Sequence, residues 1–218
     1  MAQAVNAGDY ATLSPDRRRQ IIRVAAKLFA ERGFSRTTMK DIAAQLNFTK
    51  PILYNHFKNK NEVLLECYRF GSAITLEGLA RAEPNCRNGI EKVRSFIKVY
   101  VKSVIGEVGT CLVLLDDKDL ADAERLLGRQ YRQSVEGRLR SYIEEGIADG
   151  TVRKPSDVGM AVLVIAGAMN SLGYWYKAGG RLTVDEISAR MCDLLARTLE
   201  NDRTEVDRGV SSIEMVGP

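Results

Sequence analysis

Apolar positions along this chain recur at spacings of three and four, and no segment sustains an alternation of period two. That periodicity predicts helices and essentially no sheet, an all-α fold. Ile21, Val24, Ala25, Leu28 and Phe29 stripe a first helix, which Ser14 can cap, with Pro15 in its first turn, and which Gly33 stops. Met39, Ile42, Ala43 and Leu46 form the buried face of a short second helix, opened by a capping box of Thr38 and Asp41. Asn47 then occupies a turn that needs left-handed backbone, which Asn tolerates. Phe48 plugs the core, Thr49 caps a third helix, and Pro51 falls in its first turn. Leu53 and Phe57, four apart, face inward, and this leaves Lys50, Tyr54, Asn55 and His56 facing out.

Further along, Asn59 and Glu62 are expected to box the start of a long helix running to about Arg81 and broken at Glu83-Pro84. Ile90, Val93, Ile97, Val101 and Val104 mark the next, which Gly106 and Gly109 end. A short apolar piece from Cys111 to Leu115 precedes a solvated acidic turn of Asp116, Asp117 and Asp119. Leu126, Leu127, Tyr131, Val135, Leu139, Tyr142 and Ile143 stripe a long helix that stops near Gly150. From Pro155 to Lys177 the chain is apolar nearly all round, so it must be covered on every face. Gly159, Gly167 and Ala168 would admit another helix closely. Thr183 and Glu186 box a final helix with the stripe Ile187, Met191, Leu194, Leu195 and Leu199.

Charge is divided unevenly over this pattern. Residues 1–60 hold 11 Lys and Arg against 4 Asp and Glu, whereas the remainder holds 21 against 24. A basic end on a faintly acidic body suits a protein that meets phosphate with one region only. Residues 1–13 lack the apolar core of a signal peptide, and the apolar run Val158–Met169 is too short to span a bilayer, so a cytoplasmic protein without membrane contact is expected. Cys67, Cys86, Cys111 and Cys192 are scattered without a CxxC pair and read as buried or incidental thiols. His56 is the only histidine. No triad, no His/Cys metal cluster and no Gly-rich phosphate loop can be assembled, so neither an enzyme, a metal nor a cofactor is expected.

The stretches Val24–Phe34 (apolar-AA-x-LF-x-x-x-GF), Thr37–Ala43 (TT-x-x-x-IA) and Leu53–Lys60 (LYNHF-x-x-K) stand in order with regular gaps. Over these roughly 50 residues the chain resembles the DNA-binding domain of the TetR family of bacterial transcriptional regulators. Asn47-Phe48 departs from the usual small residue followed by an aliphatic one. The resemblance implies an N-terminal three-helix helix-turn-helix domain at 15–60 after a flexible arm at 1–14. A C-terminal helical bundle for ligand binding and dimerisation follows at 61–202, then a flexible tail at 203–218. The segment Gly167–Ser188 is also similar to a subset that controls fatty-acid, steroid or acyl-CoA catabolism, although Ser171 and Lys177-Ala178 replace Trp and Arg-Pro there.

The resulting expectation is a homodimeric repressor of a palindromic double-stranded DNA operator, answering to a hydrophobic small molecule or an acyl-CoA. The alternatives are a xenobiotic-responsive repressor of an efflux pump, or a ligand-binding or scaffold protein that has lost DNA binding. Thr37, Thr38, Lys40, Thr49, Lys50, Pro51, Tyr54, Asn55, His56 and Lys60 are the expected DNA contacts. Phe96, Tyr100, Val104, Leu127, Tyr131, Val135, Met169 and Trp175 are the expected effector contacts, with Arg129 or Arg132 near the mouth and ordinary core packing as the alternative for any one of them. Val164, Ala168, Leu172, Met191 and Leu195 are expected at the dimer interface.

Overall fold

The computed structural model describes residues 15–106, 108–115 and 120–201. Ser14, the acidic turn of Asp116, Asp117 and Asp119, and the tail from Asp202 lie outside the described residues. Among the described residues ten α-helices follow one another: α1 (Pro15–Arg32), α2 (Met39–Gln45), α3 (Lys50–Tyr54), α4 (Lys60–Ala82), α5 (Gly89–Ile105), α6 (Gly109–Leu114), α7 (Asp122–Ala148), α8 (Val158–Asn170), α9 (Leu172–Trp175) and α10 (Val184–Arg197). Extended pairing among the described residues is limited to one isolated antiparallel bridge between Val152 and Glu200. The all-α reading of the periodicity therefore holds.

Several boundaries follow the expected local chemistry. Gly33 ends α1 at φ +84°, and Asn47 turns the chain at φ +54°. Thr38 and Thr183 each accept from the backbone N–H three residues on, while Asp41 and Glu186 reach back to the cap N–H, so both capping boxes are closed. Four expectations need correction. Thr49 occupies the N-cap of α3, but its side chain makes no capping bond. Asn59 accepts from the Glu62 N–H at 2.9 Å, whereas the Glu62 carboxylate accepts from the Lys58 N–H at 2.6 Å, one residue earlier than a box requires. Gly109 starts α6 instead of ending α5. The apolar segment after Pro155 is not one helix to Lys177, since α8 stops at Asn170 and the short α9 follows.

That interruption bears on membranes. Val158–Trp175 is 18 residues with a mean hydropathy of 1.5, long and apolar enough to pass for a span, which corrects the expectation of a run too short that rests on Val158–Met169 alone. The 13 residues of α8 reach only about 20 Å at 1.5 Å per residue, against roughly 30 Å of hydrocarbon.

The chain divides into two compact units, Met1–Ala73 with Ser103–Arg132, and Ile74–Lys102 with Gln133–Pro218. The first is thus larger than the helix-turn-helix segment alone. Its core gathers Ile21, Ala25, Phe29, Ile42, Leu53, Phe57, Leu64, Cys67 and Cys111, and α6 packs on α1. Burial pushes the Cys67 thiol well up and the Cys111 thiol up to about 12, so both stay protonated and inert. In the second unit Val93, Phe96, Ile97, Leu139, Ile143, Ile165, Met169 and Leu172 are buried. Lys92 pairs with Glu83 and Glu145, Arg94 pairs with Glu200, and the Tyr142 hydroxyl donates to Glu83 at 3.1 Å.

Candidate nucleic-acid interface

The third helix is only five residues long. Leu53 is 0% and Phe57 1% exposed, and these two pin α3 to the core. Lys50, Pro51, Tyr54 and Asn55 are exposed on the other side. Tyr54 keeps half its surface in solvent. His56 is half-buried at the end of this row. Desolvation holds its imidazole below the usual histidine value, and the nearby Arg18 charge adds to the effect. His56 is therefore neutral at pH 7.

Thr38 and Lys40 flank the start of α2 and are exposed. The Thr38 hydroxyl donates to Asp41 at 2.6 Å, which fixes its rotamer. This bond, with the Thr38 backbone N–H, holds the Asp41 carboxyl below the usual aspartate range. Thr49 is exposed as well. Two expected contacts are turned inward. Thr37 is fully buried, and its hydroxyl donates to the carbonyls of Gly33 at 2.9 Å and Leu28 at 3.3 Å. It ties the end of α1 to the start of α2 and is corrected from a DNA contact to a structural residue. Lys60 lies 4.2 Å over the Phe34 ring and donates to the Phe34 carbonyl at 2.7 Å, so its ammonium braces the fold at that point. Arg18 was not expected at this surface. Its guanidinium covers the Phe57 ring at 4.8 Å, a neighbour that a charge-rich helix face did not reveal.

The expected effector residues divide between the two units. Val104, Leu127 and Tyr131 belong to the first, and Tyr131 stacks on Tyr68 at 6.1 Å while accepting from Arg69 at 3.0 Å. Phe96, Tyr100, Val135, Met169 and Trp175 belong to the second. There Phe96 stacks on Tyr100 at 5.5 Å, and the Tyr100 hydroxyl donates to Asn170 at 2.8 Å. Trp175 is 51% exposed, with its indole N–H donating to the Ser171 hydroxyl at 3.0 Å.

Apolar side chains are left open on two helices of the second unit. Met160, Leu163 and Val164 are 58–59% exposed on α8, and Leu194 is 68% exposed on α10. Ala168, Met191 and Leu195 are half-buried. Leu172 was expected in this face but is 1% exposed, so its own unit already covers it. Met160, Leu163 and Leu194 were not among the expected interface residues but stand about as open as Val164 or more so. The spacing of Met160, Leu163, Val164 and Gly167 at i, i+3, i+4 and i+7 was the signal that could have found them.

The family model described as "Bacterial regulatory proteins, tetR family" matches residues 21–67, and "Tetracyclin repressor-like, C-terminal domain" matches residues 86–199. The HTH-type transcriptional repressor KstR2 of Rhodococcus jostii is 28% identical over 201 residues, covering 82% of this chain and 89% of that protein. The structure of the ketosteroid transcriptional regulator KstR2 of Mycobacterium tuberculosis superposes with a TM-score of 0.76 at 20% identity, over 88% of this chain and 100% of that one, and so shares the fold. AibR in complex with isovaleryl coenzyme A and operator DNA superposes with a TM-score of 0.71 at 26% identity, over 82% and 97% of the two chains.

Proposed function

The chain belongs to the tetR family of bacterial regulatory proteins, DNA-binding transcriptional regulators rather than enzymes, and from that premise we propose that it is a repressor which binds a palindromic operator as a homodimer and is released by an acyl-CoA thioester. The observation that carries the reading is the outward row of Lys50, Tyr54 and Asn55 on a helix whose inner face is fully committed to the core. In this reading α3 enters the major groove, Tyr54 and Asn55 meet base edges, and Lys50, Thr38 and Lys40 hold phosphates. A two-fold operator requires two copies, and the open face of α8 and α10 supplies a self-complementary surface for them.

Similarity to AibR, whose structure is a complex with isovaleryl coenzyme A and operator DNA, supports a thioester effector over an unrelated drug. Phe96, Tyr100, Val135 and Met169 are apolar or amphipathic enough to line an acyl chain, with the Tyr100–Asn170 pair as a polar element beside it. The effector acts only through a difference in affinity between the DNA-bound and released states. The test is a gel shift on the chain's own upstream region in the cytoplasmic salt range, titrated with isovaleryl-CoA, longer acyl-CoAs and free planar drugs. Release by acyl-CoAs supports the reading. Release by the drugs alone transfers it to control of an efflux pump, and no shift at all makes the chain a ligand-binding or scaffold protein.

A further inference from the structure

One carboxylate in the first unit serves two cations that lead in opposite directions. Glu66 on α4 lies 3.3 Å from Arg18 on α1 and 2.9 Å from Arg69, one turn along its own helix. Its side chain is 17% exposed, against 42% for Arg18 and 65% for Arg69. On one side, Arg18 overlies Phe57 and its charge reaches the neighbouring His56, at the end of the DNA-reading row. On the other, Arg69 donates through Nε to the Tyr131 hydroxyl at 3.0 Å, and the Tyr131 ring is stacked on Tyr68. All these residues belong to one compact unit.

A lone exposed ion pair contributes little. A shared one behaves differently, because whatever weakens one arm hands the carboxylate to the other. We propose that Glu66, Arg69 and Tyr131 are positioning residues for DNA reading, with the Glu66 carboxylate passing the placement of Tyr131 on to Arg18 and so to the Phe57–His56 end of α3. The inference rests on the proposed role of α3 in DNA reading. It also gives a residue in the expected effector set a route to that helix. If Tyr131 moves, Arg69 loses an anchor and spends more time in water. Glu66 then turns fully to Arg18, and Arg18 is drawn away from the aromatic ring and the imidazole.

The chain has a single histidine, so one imidazole resonance in the NMR spectrum reports this directly. Tyr131→Phe removes a hydroxyl and no charge, so any effect on His56 must pass through the side chains between them. In the full-length protein Tyr131→Phe should raise the His56 titration midpoint by about 0.1–0.2 pH unit, a fraction of what one unit charge produces at ~10 Å in water. In a Glu66→Gln background the same substitution should move it by nothing. Operator affinity gives the second reading. Tyr131→Phe and Arg18→Met should combine non-additively by at least about twofold with Glu66 present and additively with Gln there, the size expected for coupled neighbours. An unmoved midpoint, a shift that persists in Glu66→Gln, or an additive cycle with Glu66 present overturns the proposal. Failure of the wild-type protein to bind any operator would instead refute the DNA reading, and the titration alone would still decide whether Glu66 couples Tyr131 to α3.

Discussion

Leu163→Glu should separate the two copies of the proposed dimer. Burying a whole Leu, Val or Met side chain is worth about 1.5–3 kcal/mol. Met160, Leu163, Val164 and Leu194 each keep roughly three-fifths of their surface exposed in the single chain, so each has about 1–2 kcal/mol still to gain from a partner. Over two copies the four positions offer roughly 8–16 kcal/mol, against an association cost of about 4–15 kcal/mol. The margin is small enough for one position to decide it. Leu163→Glu forfeits about 2–4 kcal/mol of burial across the two copies and adds a carboxylate whose desolvation costs several kcal/mol more. Dissociation should strengthen by at least about a thousandfold, since each 1.4 kcal/mol is tenfold. Sedimentation velocity between ~0.1 and ~10 µM, the range in which such a change turns dimer into monomer, should show it. Leu172→Ala is the control. That side chain is buried in its own unit, so the substitution should cost about 2–5 kcal/mol of folding stability and lower Tm without changing the association state. A clean Leu163→Glu dimer at ~0.1 µM, well below the expected dissociation constant of the variant, would refute this use of the open face.

Lys50→Ala with Tyr54→Ala should weaken operator binding while leaving Tm nearly unchanged, whereas Thr37→Val should do the reverse, costing about 1–3 kcal/mol of stability by orphaning two inward carbonyls; fluorescence anisotropy and thermal melts separate the two. His56 has a depressed pKa, so its stability contribution is complete above the ordinary histidine value and falls as pH drops through it. DNA phosphate favours the protonated form, so operator affinity should rise from pH 7.5 towards pH 5.5 in wild type and stay flatter in His56→Gln, a difference that anisotropy across that range would reveal. Asp41 has a carboxyl held low by Thr38, so the stability of the capping box is present above the ordinary aspartate value and lost as pH falls below it, which Asp41→Ala should remove from an acid melt.

Most of the fold was legible because its signals are local. Glycine at a helix end, asparagine at a left-handed turn and a Thr-x-x-acid box each act within about one helical turn, so Gly33, Asn47, Thr38 and Thr183 could be read directly. The outward set on α3 was legible for the same reason, since fixing Leu53 and Phe57 inward determines their neighbours. What could not be read depends on partners distant in sequence. Thr37 looks like any hydroxyl at a helix start, and only its bonds to Leu28 and Gly33 reveal an interior residue. Nothing local to Lys60 tells that its ammonium sits on Phe34, 26 residues away. Leu172 and Leu163 are both leucines on an apolar stretch. Leu172 continues the buried stripe of Val162, Ile165 and Met169, whereas Leu163 stands on the opposite, open side of α8.

Stability and function draw on almost separate residues here. Lys50, Tyr54 and Asn55 contribute nothing to the core, and Met160, Leu163, Val164 and Leu194 leave more apolar surface in water than folding alone would favour. Neither set is accounted for by the stability of one chain. In the proposed reading each is accounted for by a partner, duplex DNA for the first and a second copy for the second. The two requirements are linked. A short helix with a few outward side chains reads too few bases to pick one site from a genome, and doubling the reading heads at a fixed spacing multiplies the discrimination. The open face on α8 and α10 therefore bears on DNA specificity as much as on assembly. Leu163→Glu should accordingly weaken binding to the full palindrome far more than to an isolated half-site, although it lies on the other compact unit from every DNA-reading residue.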